Sequence, residues 1–172
     1  MREYVSHLFS TLLVIILSGV ITAAFGYQLI VGQDPCPLCF LQRVGMIGVT
    51  IGQLFNFRFG IKMSHHAISL FYCLFGGAVA LRQICLHICP GFPSFGMPIL
   101  GLSLYTWSFL VFVCSLIVIG ILMLLYDPKW DSLAFKKLRK LKIFASVYIF
   151  VIVVADIITA AYVCGFGICP DN

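Results

Sequence analysis

Residues 100–126 read LGLSLYTWSFLVFVCSLIVIGILMLLY, a run without one charged side chain. At about 1.5 Å of rise per residue, a helix this long exceeds the roughly 30 Å of a bilayer's hydrocarbon core. Four further stretches are apolar and about long enough to cross, with one charged residue each in the last three: Leu8–Val31, Phe40–Phe57, Ala67–Cys85 and Ile143–Val163. The whole 172-residue chain is 62% hydrophobic and only 10% charged. Soluble domains carry about 25% charged residues, so this chain cannot coat a water-facing surface. The expected fold is an all-α integral membrane protein, a single bundle of five transmembrane helices over residues 1–172. The joining segments are short, with no internal repeat and no room for a separate soluble domain. Gly45, Gly48 and Gly52 fall within the second span, where small residues let helix backbones approach closely in lipid. Leu8–Val31 is too long for the apolar core of a signal peptide and is expected to stay as the first span.

The positions of the basic residues orient the bundle. Arg2, Arg58, Lys62, Lys129, Lys136, Lys137, Arg139, Lys140 and Lys142 are all but two of the eleven lysines and arginines. They occupy the N-terminus and the second and fourth connections, which five spans place on one side. The positive-inside rule makes that side cytoplasmic. A net charge of +5 therefore reports orientation and contact with anionic lipid; no nucleic-acid partner is expected.

The eight cysteines divide against that map. Cys36 and Cys39, Cys85 and Cys89, and Cys164 and Cys169 all fall at outer ends of spans, where disulfides persist. Cys73 and Cys114 are mid-span, the usual place of a small apolar filler. The motif DPCPLCFLQR (residues 34–43) sets Cys36 and Cys39 at the start of the second helix. Unpaired amides and partial positive charge there favour thiolate over thiol. Pro37 suits a first turn, whose missing donor is not needed. Arg43, four residues after Cys39, shares its helix face. A cation there stabilises either a Cys39 thiolate or the oxygen of a reduced acceptor; the bland alternative is a snorkelling interface residue.

Other readings stay open for these sulfurs. Cys36, Cys39, Cys164 and Cys169 make a possible all-cysteine zinc site, although four residues separate the last two where two are usual. The C-x-x-C-H haem signature is absent, because residue 40 is phenylalanine. CGFGIC (164–169) reads as a structural staple or as a shuttle disulfide. Cys85 and Cys89 are either a further redox pair or two separate thiols, with His87 between them. Arg82 and Asp156 are costly in a membrane; Asp156 is expected to pair with Arg82, to move protons, or to sit neutral between helices. Phe40, Tyr105 and Trp107 suit an interfacial aromatic belt. The competing class is a scaffold or small transporter stapled by disulfides or zinc, without redox turnover.

CPLCFLQR after a first span resembles the disulfide bond formation protein B (DsbB) family, and the likeness extends through ALRQICLHICPG and GLSLYTWSF, about the first 126 residues. The resemblance implies a bacterial inner-membrane thiol:quinone oxidoreductase with a periplasmic active face. It would reoxidise a soluble DsbA-like thiol oxidase and pass electrons to ubiquinone or menaquinone. It further implies that Cys36–Cys39 is the quinone-facing pair, with Cys39 in contact with the quinone and Arg43 beside its head group; Arg82 is a further candidate contact, and Phe40, Tyr105 and Trp107 are candidate walls for the quinone. Well-known members have four helices and a long outer connection bearing the partner-facing cysteines. Here that connection is short and a fifth span delivers CGFGICPDN, so Cys164–Cys169 is expected to take the shuttle role, with Cys85–Cys89 competing. The N-terminus would be cytoplasmic and the C-terminus periplasmic.

Overall fold

A computed structural model describes residues 2–31, 36–88, 98–127 and 139–164. These form five helices and, among the described residues, no strand: α1 (Arg2–Val31), α2 (Pro37–Phe59), α3 (Met63–Ile88), α4 (Leu104–Leu124) and α5 (Arg139–Cys164). Among the described residues, four stretches are long and apolar enough to cross a membrane: Val5–Gln28, Pro37–Phe59, Met63–Ile88 and Leu104–Leu124. Within α5 the apolar stretch is shorter, Ile143–Thr159. The chain is a multi-pass helical membrane protein.

Local chemistry sets the helix ends. Cys36 caps α2 in an extended conformation and Pro37 opens the first turn. Gly60, at φ 84°, ends α2 in the left-handed region that glycine enters without strain. Asn56 then closes the α2–α3 turn, its Oδ1 accepting the Lys62 amide at 3.1 Å. Before α4, Leu100 and Gly101 both take positive φ, and Ile99 and Leu102 exchange backbone hydrogen bonds at 2.9 and 3.1 Å. The Trp107 indole donates to the Ile99 carbonyl at 3.0 Å, pinning that turn to α4.

Packing runs through α2, which touches each of the other four helices. The glycine expectation is visible at its contact with α3: a Cβ on Gly45 would come 2.8 Å from the Gly76 Cα. The fully buried Phe112 ring of α4 lies over Gly76. On α3, Cys73 is buried and donates to the Phe112 carbonyl at 3.1 Å, whereas Cys114 faces outward as an exposed thiol and fills no core space. The distribution of polarity is inverted relative to a soluble protein. Ile16, Phe71, Ile117 and Phe150 are exposed, while Ser10, Thr50, Gln53, Asn56 and Ser115 are buried. Several hydroxyls are satisfied within their own helices, as when Ser18 donates to the Val14 carbonyl or Ser115 to that of Val111, the economical solution where no water is at hand. Thr22 and Tyr148 share a hydrogen bond that ties α1 to α5.

Candidate functional site

The cap of α2 brings two sulfurs together. Cys36 and Cys39 form a disulfide with their Cα atoms 5.2 Å apart. The Cys39 amide donates to the Cys36 carbonyl at 2.9 Å and approaches the Cys36 Sγ at 3.2 Å. A sulfur therefore occupies the place where a serine or aspartate oxygen would normally cap the helix. From α3, the Gln83 side-chain amide reaches the same bond, with Nε2 3.4 Å from Cys36 Sγ and 3.8 Å from Cys39 Sγ. Its Oε1 accepts from Gln42 Nε2 at 2.6 Å.

One turn deeper, Arg43 is buried in a cage assembled from three helices. From α1, Gln28 Oε1 accepts from Arg43 Nη2 at 2.9 Å, and the Phe25 ring lies 4.4 Å from the guanidinium carbon. Phe40, on its own helix, sits 5.7 Å away. From α5, Asp156 Oδ1 stands 3.5 Å from Arg43 Nη1, both side chains only 8% exposed. That separation is an ion pair and longer than a direct hydrogen bond. Nη1 and Oδ1 accordingly remain buried without a hydrogen-bond partner. Ionised groups left in that condition cost more than neutral ones, so the site holds capacity for one further polar contact.

A cavity of about 330 Å³ opens beside these groups, with Cys39, Gln42, Arg43, Gln83 and Gln28 on its wall. The rest of the lining is mainly apolar and aromatic, including Ile21, Met46, Tyr27, Tyr105 and Trp107. Tyr105 stacks on His87 with ring centroids 4.9 Å apart, and His87 Nδ1 lies 2.8 Å from the Gln83 carbonyl. A flat apolar molecule bearing one or two carbonyls suits such a space.

Among the residues singled out from sequence, Cys36, Cys39, Arg43, Tyr105 and Trp107 come together here. Phe40 is buried against Arg43 and does not line the cavity. Asp156 corrects an expectation: its partner is Arg43, and Arg82 is exposed and does not line the cavity. The reason lies in packing, since α5 docks on α1 and α2. Cys85 is an exposed free thiol, and its suggested partner Cys89 lies outside the described residues. Cys164 ends α5; its side chain and Cys169 likewise lie outside. The zinc alternative would need the two sulfurs that are here joined to each other. Sequence reasoning missed Gln28, Gln42 and Gln83, although an amide inside an apolar span always requires a partner.

The model of the family described as "Disulfide bond formation protein DsbB" matches residues 6–94, from α1 through α3 and past the sulfur pair. Among known relatives, disulfide bond formation protein B of Paracidovorax citrulli is 33% identical over 143 residues, 62% of this chain and 81% of that one. The protein of the same name from Marinobacter nauticus is 28% identical over 156 residues, 69% and 92% of the two chains. Disulfide bond formation protein B 1 of Pseudomonas fluorescens Pf-5 is 28% identical over 144 residues, 64% and 85%. No solved structure gives a significant match. With a C-x-x-C disulfide at a helix start and half of its length inside the family's pattern, the chain belongs to the disulfide bond formation protein DsbB family.

Proposed function

We propose that this protein is a thiol:quinone oxidoreductase of the bacterial inner membrane, regenerating a soluble periplasmic DsbA-like thiol oxidase. The observation that carries the reading is the position of the Cys39 sulfur. It lines an apolar cavity that also presents Arg43, whose Nη1 lacks a hydrogen bond. The residues present fit a quinone head group: carbonyl oxygens are acceptors, Arg43 is a donor without a full set of acceptors, and Tyr105 and Trp107 add rings to the wall. A bound quinone, ubiquinone or menaquinone, would supply the two-electron acceptor and take up two protons on reduction.

The chain's own residues carry the rest. Cys36 and Cys39 exchange with an incoming thiolate and hold the reducing equivalents as a dithiol. Arg43 orients the acceptor's oxygen and favours negative charge next to Cys39. Gln28 and Asp156 fix the guanidinium from two sides, so its direction is set before anything binds. Helices α1 and α4 wall the cavity with apolar side chains such as Val20, Ile21, Leu104 and Val111. Cys164–Cys169 takes the partner-facing shuttle role, with Cys85–Cys89 the competitor. The active face is periplasmic and the Arg58–Lys62 turn cytoplasmic, on the strength of the basic residues.

Thiol trapping in membranes tests this reading. After mild reduction, adding a short-chain quinone analogue should return Cys36 and Cys39 to the disulfide, and Cys39→Ser should abolish quinone reduction while leaving the bundle folded. If the pair's thiol state ignores the quinone analogue, the proposal falls, and a stapled scaffold becomes the better description. Cycling confined to Cys85–Cys89 would reassign the shuttle.

A further inference from the structure

The Cys36–Cys39 bond has one side-chain donor aimed at both of its atoms. Gln83 is 1% exposed, and its Nε2 spans the two sulfurs at 3.4 and 3.8 Å. Its orientation is set by Gln42, itself 4% exposed, which donates to Gln83 Oε1 at 2.6 Å. The carbonyl end of Gln83 is thereby occupied and the N–H end is turned toward sulfur. Disulfide sulfurs are weak acceptors, whereas a thiolate accepts a charge-assisted hydrogen bond. A buried amide in a lipid-embedded bundle is costly unless bonded. Here one N–H is committed to an acceptor that becomes strong only when the bond opens.

We propose that Gln83 is a catalytic residue of the sulfur pair, a preorganised donor to the thiolate released when Cys36–Cys39 opens, and that Gln42 is the positioning residue that keeps the donor end facing sulfur. The proposal rests on Cys36–Cys39 being the redox pair, as above. In the exchange step a protein thiolate forms a new S–S bond to Cys36. The Cys36–Cys39 bond breaks and its electron pair leaves on Cys39 Sγ, with no net oxidation and no proton lost from Gln83. The amide hydrogen bond tightens onto the new anion and stabilises the opened form. Because Nε2 reaches both sulfurs, the same donor serves whichever of them leaves. A stabilised thiolate in the reduced pair also makes the disulfide a stronger oxidant, as the charged product is favoured.

The test compares full-length wild type, Gln83→Leu and Gln42→Glu in lipid nanodiscs. Gln42→Glu is isosteric, and its ionised carboxylate only accepts hydrogen bonds, so Gln83 turns its N–H toward it and presents its oxygen to the sulfurs. Alkylation of the reduced Cys36/Cys39 peptide at neutral pH, followed by mass spectrometry, should slow about tenfold in both variants, the scale of one lost hydrogen bond to a charged group. Equilibration against a dithiol buffer should shift about tenfold toward the disulfide in both, for the same reason. A purely structural role would lower the unfolding temperature while alkylation and equilibrium of the folded fraction stayed at wild-type values; that result overturns the proposal. Should Gln83→Leu fail to assemble, Gln83→Met, which keeps the length and removes the donor without adding charge, takes its place. Failure of the redox reading itself looks different, since the wild-type pair would then ignore the quinone analogue whatever the variants do.

Discussion

At the Cys36 end of α2, amides from Gln42 and Gln83 point at each other and at sulfur, beside a cavity. At the Phe59 end, roughly 20 Å along the same helix, Gln53 and Asn56 meet Ser69, His65 and His66 of the same neighbour, α3. There the groups close on themselves. Gln53 Nε2 donates to Ser69 Oγ at 3.0 Å, Ser69 Oγ donates to the Val49 carbonyl at 3.0 Å, and Asn56 Oδ1 receives the Lys62 amide and lies 3.0 Å from His65 Nδ1. Gln53 and His66 are fully buried. Both clusters join α2 to α3 with similar side chains. Only the first leaves Arg43 Nη1 and Asp156 Oδ1 without hydrogen bonds and faces a space for a ligand. A closed polar cluster fixes helix register; an open one keeps donors available for something that arrives later.

The sharpest way to break that distinction is Arg43→Met, which keeps length and packing while removing the cation. A charge-assisted hydrogen bond contributes about 1.5–3 kcal/mol, so kcat/KM for a quinone analogue should fall roughly tenfold to a hundredfold, measured by quinol formation in nanodiscs with a reduced dithiol protein as donor. A wild-type value would mean that the open cluster is as structural as the closed one.

Asp156→Asn should do less. Arg43 keeps its Gln28 contact and its place over Phe25 but loses the counter-charge, so the KM for quinone analogue should rise about fivefold, a fraction of a full charged contact, with kcat near wild type. A fall in kcat at unchanged KM would instead mean that the carboxyl moves protons, and the positioning role given to it would be lost. The double variant Arg43→Met/Asp156→Leu should unfold at a higher temperature than either Arg43→Met or Asp156→Leu alone, because each single change strands one buried charge.

The sequence was readable where the determinants are local. The Cys36 cap and Pro37 opening of α2 depend on neighbours in the chain, and the glycines of α2 announced a close approach that Gly76 completes. What stayed hidden is which helix faces which. Pairing with Arg82 was one of the readings open to Asp156, yet α5 lies against α1 and α2, which brings Arg43 within reach. Spacing along a helix cannot reveal this, because lipid-facing apolar side chains on every helix blur the stripe that would mark an inward face: Phe144, Phe150 and Ile158 of α5 are all exposed. Gln83 was passed over for a similar reason. Its value comes from lying opposite Cys36, forty-seven residues earlier in the chain, while its neighbours Arg82 and Cys85 drew attention by residue type and turn out to be exposed.

The smallest effect on turnover belongs to the closed end, and it sharpens the comparison from the other side. Gln53→Leu removes the donor to Ser69 Oγ and the contact to His66 Nδ1 at 3.4 Å, and it takes an acceptor from Asn56 Nδ2. Buried partners left unsatisfied cost about 1–3 kcal/mol, so unfolding in mild detergent should move to lower temperature or lower denaturant by that amount. No member of this cluster lines the cavity, so quinone turnover of the folded fraction and alkylation of Cys36 and Cys39 should stay within about twofold of wild type, the range expected of independent sites. Should Gln53→Leu slow sulfur alkylation as strongly as Gln83→Leu, the two ends of α2 would be energetically coupled, and the division between a register-setting cluster and a working one would fail.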